Sequence, residues 1–203
     1  IGGNVWDIWE ALRALDPAPG ERALRKQMAA LDPHARRFVE LSPFVVLSTA
    51  DAQGRQDASP RGGAPGFVHV VDAQRLWIPD APGNHRLDSL GNIVDTGRIG
   101  LLFLIPGVDE TLRVNGRARL SDDAERLAPF AADPRVRLVI EVDVEEAYLH
   151  CAKALMRSKL WSDGARVERS VLPTMGQMIS DQTGLVTPVE SQAQMVARYA
   201  KDL

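Results

Sequence analysis

The sequence predicts an α+β protein in which an antiparallel β-barrel lies between two helical regions of the chain. The first forty residues show helical spacing of apolar side chains, and the last third shows it again. Between them, short β-branched stretches alternate with turn residues. A chain of 203 residues can form one domain with a sizeable core. We therefore expect a single domain over 1–203, with a helical extension at 1–41, the barrel core at 43–148 and a helical part at 149–203.

Helices are predicted at both ends of the chain. The first has one apolar face with helical spacing, formed by Val5, Ile8, Trp9, Leu12 and Leu15. The Pro- and Gly-rich segment 16–20 ends it. Further helices are predicted at about 21–31, 33–41, 150–160, 174–181 and 190–200.

Strands are predicted at about 44–49, 55–59, 67–71, 76–78, 100–105, 112–120 and 136–144. The segment 100–105 is apolar without alternation, which predicts a strand buried on both faces. The two strands after it alternate, so each has an apolar and a polar face. Short strands joined by tight turns are typical of an antiparallel barrel.

Composition argues against several classes of function. The net charge is −3 with both signs interspersed, so no basic stripe indicates nucleic-acid binding. No apolar run reaches the length of a membrane span, and no signal pattern begins the chain. Cys151, the single cysteine, can form no internal disulfide, and with His150 alone it supplies too few zinc ligands. We expect a buried or half-buried thiol, no metal and a cytoplasmic location.

The segment 78–87 carries the clearest chemical signal. A strand ends, a Pro-Gly loop follows, and a helix is predicted to begin with Asn84 as its N-cap. His85 and Arg86 would then place cations at a helix N-terminus, against the helix dipole. A bound phosphate would compensate for this, because it accepts hydrogen bonds from backbone N–H groups and a guanidinium together. The alternative is a surface helix whose Arg86 pairs with Asp88 or Asp80.

A second segment, 57–66, is rich in glycine and proline and contains Arg61. Glycines let the backbone approach a flat ligand closely, and Arg61 could neutralise an anion. The alternative is a long hairpin loop with a solvated arginine.

These segments together resemble the pyridoxamine-phosphate-oxidase-like proteins that bind FMN in a split barrel, and in particular a bacterial subgroup of probable FMN-dependent proteins. The resemblance extends over nearly the whole chain, through the motifs at 59–62, 65–68, 78–80, 82–84, 86–88, 102–107, 112–118, 150–155, 157–158 and 160–161.

The resemblance implies an FMN site made of several short segments. In relatives, residues at the positions of Asn84, His85 and Arg86 hold the phosphate. Strand ends next to the flavin correspond here to Ile78, Pro79 and Asp80, and on the neighbouring strand to Ser59 and Arg61. Arg113 corresponds to a strand that reaches the ring across a dimer interface. Lys153 is a further candidate, because it lies one helical turn from Arg157 and such like charges favour an anionic neighbour; a solvated basic face is the alternative.

Three positions depart from the pattern of the relatives. Ala81 and His85 stand where close relatives often carry arginine, and a histidine is only partly charged near neutral pH. We therefore expect weaker phosphate binding than in a relative with two arginines. Gly63 replaces a common aspartate.

The implied activity is that of an FMN-dependent oxidoreductase, a homodimer with FMN at the subunit interface and an unknown small-molecule substrate. Flavin carries its own redox chemistry, so no catalytic side chain is assigned. The alternatives are a non-catalytic module that binds flavin or haem, and a deazaflavin-dependent reductase. True pyridoxamine-phosphate oxidase activity is not expected, because the C-terminal segment 197–203 indicates an amphipathic helix without the Arg and His pattern of that enzyme.

Overall fold

A computed structural model describes residues 5–16, 18–83, 85–185 and 190–200. For residues 5–7 it describes the backbone only. The chain forms two compact units, Ile1–Arg157 and Ser158–Leu203. No helix within the described ranges is both long and apolar enough to cross a membrane.

One antiparallel sheet of seven strands forms the centre of the first unit. The strands follow the order β2-β1-β5-β6-β7-β4-β3. Their bounds are β1 Phe44–Ala50, β2 Gln56–Gly62, β3 His69–Val70, β4 Arg75–Asp80, β5 Arg98–Leu104, β6 Thr111–Ser121 and β7 Leu138–His150. The predicted fold class is confirmed: this is an α+β protein with an antiparallel split barrel and flanking helices.

The barrel interior is filled by alternate side chains of the strands, as the period of two dictates. Fully buried members include Val45, Leu47, Ile78, Leu101, Phe103, Leu112, Val114 and Ile140. Each such side chain contributes about 1.5–3 kcal/mol by leaving water.

The helices of this unit are α1 Val5–Leu15, α2 Glu21–Arg25, α3 Pro33–Leu41, α4 Asp88–Thr96, α5 Ala124–Leu127 and α6 Lys153–Ser158. Helix α3 has the predicted bounds, because Asp32 accepts a hydrogen bond from the Ala35 amide and a proline follows directly. Helix α2 is shorter than predicted. Met28 forms a bridge with Ala147 of β7, so the chain leaves the helix early.

The prediction that β5 is buried on both faces was wrong. Ile99, Leu101 and Phe103 point into the core, whereas Leu102 and Leu104 are half-buried on the other face. The apolar run therefore marks an outer face that no other part of the first unit covers completely.

A β-bulge interrupts the pairing of β6 with β7. Asn115 pairs with Glu146 and Gly116 with Val144, so Glu145 has no opposite residue. A Cβ atom on Gly116 would lie 2.1 Å from the Asp143 carbonyl oxygen. Only glycine fits at that position, because the backbones approach too closely for a side chain.

The chain between β6 and β7 carries α5 and the 3₁₀ turn Ala128–Phe130. Trp77, Val139 and Glu141 are buried although they lie on the outer face of the sheet. Arg126 of α5 contacts this face: its guanidinium lies 5.8 Å from the Trp77 ring centroid.

The second unit consists of two 3₁₀ turns, Asp163–Ala165 and Arg169–Val171, and the helices α7 Met175–Thr183 and α8 Gln192–Tyr199. These two helices lie close to those predicted at about 174–181 and 190–200. None of its described residues is fully buried. Cys151, before this unit, is exposed, so the prediction of a buried or half-buried thiol was wrong.

Candidate functional site

A cavity of about 560 Å³ opens where β2, β4 and α4 meet. Its walls come from β2, from the end of β4 with the loop after it, and from the first turn of α4. This volume lies within the range of about 300–1,000 Å³ that is usual for small-molecule and cofactor sites.

Strand β2 directs three polar side chains to the same side of the sheet. Asp57, Ser59 and Arg61 alternate with exposed residues and are each half-buried. All three line the cavity. The guanidinium of Arg61 donates a hydrogen bond to Ser59 Oγ at 2.5 Å, which fixes the arginine against its own strand.

Arg61 also pairs with Asp80 at the end of β4. Its Nη2 lies 3.4 Å from Asp80 Oδ1, and the two side chains are only 24% and 17% exposed. Burial raises the pKa of the Asp80 carboxyl, and the charge of Arg61 opposes this rise. The pair joins β2 to β4 across the cavity floor with its charge largely balanced.

Helix α4 begins later than predicted. Its first residue is Asp88 and its N-cap is Leu87, so the prediction of Asn84 as N-cap was wrong; Asn84 itself lies outside the described residues. Arg86 therefore lies in the loop before the helix and not in its first turn. No side chain caps this end in the described structure, which leaves N–H groups of the first turn to water or a ligand.

The residues directly before and directly after Arg86 both have a left-handed backbone. His85 has φ of 61° and Leu87 has φ of 60°. Each such conformation costs a residue with a Cβ about 1–2 kcal/mol. Strain of this kind persists where the surrounding structure requires a particular chain path, and it often marks binding loops.

Arg86 pairs with Asp88, which is one of the two alternatives that the sequence left open. Its Nε lies 2.7 Å from Asp88 Oδ2, with the side chains 73% and 47% exposed. Exposed pairs of this kind contribute only about 0–1 kcal/mol. A phosphate in the cavity could therefore compete with Asp88 for the guanidinium.

Polar contacts fasten α4 to the strands beneath it. Ser89 Oγ donates to Asp57 Oδ2 at 2.5 Å, and Asn92 Nδ2 donates to Thr49 Oγ1 at 3.0 Å. Asp57 and Ser89 line the cavity but were not among the predicted site residues. The alternation of β2 could have indicated Asp57, because it shares a face with Ser59 and Arg61.

The structure thus brings Ser59, Arg61, Asp80, His85 and Arg86 to one cavity. The other candidates within the described residues lie elsewhere. Ile78 is fully buried in the core and Pro79 half-buried beside it, whereas Arg113 lies on the outer face of β6 and Lys153 is exposed on α6.

Gly63, where relatives often carry aspartate, packs directly against Phe67. A Cβ atom there would lie 2.8 Å from the Phe67 Cβ. A side chain at this position would displace Phe67, and the loop that follows Arg61 in the chain would have to move with it.

This arrangement suits an oxyanion. Two arginines, a histidine and uncapped helical N–H groups line a cavity of suitable volume, together with Asp57, Asp80 and Asp88. Within the described residues, no group of three or more His, Cys, Asp or Glu could hold a metal ion.

Several solved structures share this fold. The protein is similar to an alanine variant of HupZ from Group A Streptococcus, with a TM-score of 0.50, 16% identity, and coverage of 59% of this chain and 99% of that one. It is also similar to a putative pyridoxamine 5'-phosphate oxidase from Lactobacillus delbrueckii, with a TM-score of 0.48, 20% identity, and coverage of 60% and 95%. HutZ, a heme storage protein from Vibrio cholerae, matches with a TM-score of 0.43, 13% identity, and coverage of 59% and 93%.

At 16% identity the HupZ structure shows the fold alone. No curated protein matches the chain in sequence. The family model of pyridoxamine 5'-phosphate oxidase, however, matches residues 31–151, which is more than half of the chain and includes every strand. The chain belongs to the pyridoxamine 5'-phosphate oxidase family.

Proposed function

We propose that this protein binds FMN and uses it as an oxidoreductase on a small molecule. The observation that carries the proposal is the cavity at the start of α4, which is lined by Arg61, Arg86 and the uncapped N-terminus of this helix. The family assignment supports a flavin, and the resemblance implies that Asn84, His85 and Arg86 would hold its phosphate.

In this arrangement the chain's own residues bind and orient the cofactor. Arg86 leaves its exposed pair with Asp88 and donates to the phosphate, together with first-turn N–H groups. Arg61 stays against Ser59 and Asp80, where its charge faces the more polar part of the cavity. FMN supplies hydride and electron transfer, so no protein nucleophile or base is needed.

The test is a titration of flavin-free protein with FMN and, in parallel, with riboflavin, which lacks the phosphate. We expect Arg86→Ala to weaken FMN binding at least about tenfold, the loss of one charge-assisted hydrogen bond. Riboflavin binding should change little. Arg37→Ala removes a similarly exposed arginine, which lies on α3 and pairs with Glu40, and it serves as the matched control.

Equal loss of FMN and riboflavin binding in Arg86→Ala would place the phosphate elsewhere. No FMN binding by the unaltered protein would overturn the proposal. The absorption spectrum of the purified protein then separates the alternatives, because flavin, haem and deazaflavin bands differ.

We also propose that the protein is a homodimer. Phe44 and Val46 of β1 lie opposite Leu104 and Leu102 of β5 on the outer face of the sheet. Phe44 is 37% exposed and the other three are half-buried, an apolar patch that a second copy could cover.

Light scattering at micromolar concentration tests this part of the proposal. Leu102→Glu should shift the protein towards monomer, because it places a charge in the centre of the patch. The control is Val94→Glu, at a more exposed apolar position on α4. A monomer in the unaltered protein would overturn the proposal.

A further inference from the structure

A second group of cations lies at the far end of the sheet from α4. We define the Tyr148 cluster as Lys26, Arg113, Tyr148 and His150. Arg113 and Tyr148 are opposite each other on β6 and β7, and His150 is two residues further along the same face of β7. Lys26 reaches the cluster from the segment after α2 and donates to the Leu149 carbonyl at 2.9 Å.

Both long cations lie against the same phenol ring. The Lys26 Nζ is 5.8 Å and the Arg113 Cζ is 5.4 Å from the Tyr148 ring centroid. Arg113 Nη1 also donates to Tyr148 Oη at 2.8 Å. That bond leaves the phenol hydrogen available to donate, and no described residue accepts it.

Within the described residues, no carboxylate forms an ion pair with Lys26, Arg113 or His150. The nearest acid along β7, Glu146, accepts from Asn115 and Gln27 instead, which are both neutral amides. Three groups that can carry positive charge thus face one small area of surface.

The pKa of His150 is affected by the positive charges around it. Burial lowers it, and the charges of Arg113 and Lys26 lower it further, with no acid that raises it. Unbalanced like charges are unfavourable, and a bound anion is the simplest way to offset them.

We propose that the Tyr148 cluster binds the carboxylate or phosphate group of a small molecule. Lys26 and Arg113 supply charged donors, the Tyr148 hydroxyl supplies a third donor, and His150 gains a proton when the anion arrives. The family resemblance brings Arg113 towards the flavin ring. The anion would therefore belong to the molecule that exchanges a hydride with FMN, and this last assignment alone rests on the proposed function.

The experiment follows the ring protons of the four histidines by NMR in flavin-free protein. Inorganic phosphate and acetate are titrated separately, so that the two anion classes are distinguished. We expect at least one of them to raise the pKa of His150. Lys26→Gln should raise about tenfold the anion concentration that gives half of this pKa change, since one charged donor is lost. Lys159→Gln, at another exposed lysine, should leave this anion concentration unchanged.

His85 reports the other cavity in the same spectra, so the two proposals can fail separately. Arg86→Ala should remove a phosphate response at His85 and keep the response at His150. The inference would be overturned if neither anion changed the pKa of His150. It would also be overturned if Lys26→Gln and the unaltered protein showed the same dependence of this pKa on anion concentration. Arg113→Gln provides a second variant with the same expected loss.

Discussion

Strands β6 and β7 carry two groups of charged side chains on the same outer face, one on each side of the bulge at Gly116. On one side, Glu141 is 5% exposed and lies between Arg119, at 2.9 Å, and Arg126, at 3.6 Å. On the other side, the Tyr148 cluster holds cations without an acid. We call these the closed end and the open end.

The difference lies in what covers each end. The chain between β6 and β7 returns across the closed end, and a buried carboxylate there must be paired because an unpaired one would be costly. At the open end Lys26 is exposed and Arg113 and His150 are half-buried, so these cations keep contact with water. A balanced, buried group holds the fold together, whereas an unbalanced, accessible group is suited to a ligand.

The largest expected effect comes from the bulge that separates the two ends. Gly116→Ala places a Cβ atom 2.1 Å from the Asp143 carbonyl oxygen, so the β6–β7 register must shift. We expect a loss of about 3 kcal/mol or more in the free energy of unfolding. Urea denaturation measures it.

Gly91→Ala is the matched control, since nothing lies within 4 Å of a Cβ at this position inside α4. Removing a glycine from a helix interior should raise stability by about 0.5–1 kcal/mol. Two variants with the same stability would show that the bulge tolerates a side chain.

A second change would make the closed end resemble the open one. Glu141→Gln removes the buried carboxylate and leaves Arg119 and Arg126 without its charge. We expect a loss of about 2 kcal/mol, less than for a fully buried pair because Arg119 is half exposed. Urea denaturation again gives the value.

Glu145→Gln serves for comparison, because its pair with Arg98 is exposed on both sides. Its effect should stay within about 0.5 kcal/mol. If Glu141→Gln is equally mild, the closed end does not depend on its carboxylate.

The smallest effect concerns the open end and its dependence on pH. His150 has a lowered pKa, so the folded protein takes up this proton less readily than the unfolded chain. The free energy of unfolding therefore falls as the pH falls through and below about 6.5, the ordinary histidine value. Lys26→Gln removes one cause of the lowered pKa, so its stability should fall less in acid.

Urea denaturation at about pH 8 and about pH 5, in buffers without phosphate, measures this difference. Lys26→Gln and the unaltered protein should agree at the higher pH and separate at the lower. Parallel behaviour at both would mean that Lys26 does not act on His150.

Most of the sheet could be predicted from the sequence, because a strand with one buried face shows its period in the chain itself. The alternation over 112–120 predicts one apolar face of β6; Leu112, Val114 and Ala118 are buried on that face, and Leu120 is half-buried. Helix α3 was equally clear, since Asp32 and Pro33 mark its start within a few residues.

The errors share a physical cause, which is contact between segments far apart in the chain. The bridge from Met28 to Ala147 shortens α2, and the bond from Ser89 to Asp57 helps to fix where α4 begins. A local pattern contains no information about such partners. The pair of Arg86 with Asp88 was foreseen as an alternative because both residues lie in one short segment.

The left-handed backbone at His85 and Leu87 has a consequence for anyone who engineers this protein. Glycine adopts this conformation freely, so a screen for heat resistance would select glycine at either position, with a gain of about 1 kcal/mol. The same replacement widens the range of paths open to the loop that carries Arg86. Variants chosen for thermostability alone should therefore drift towards weaker retention of the ligand, and the two properties must be selected together.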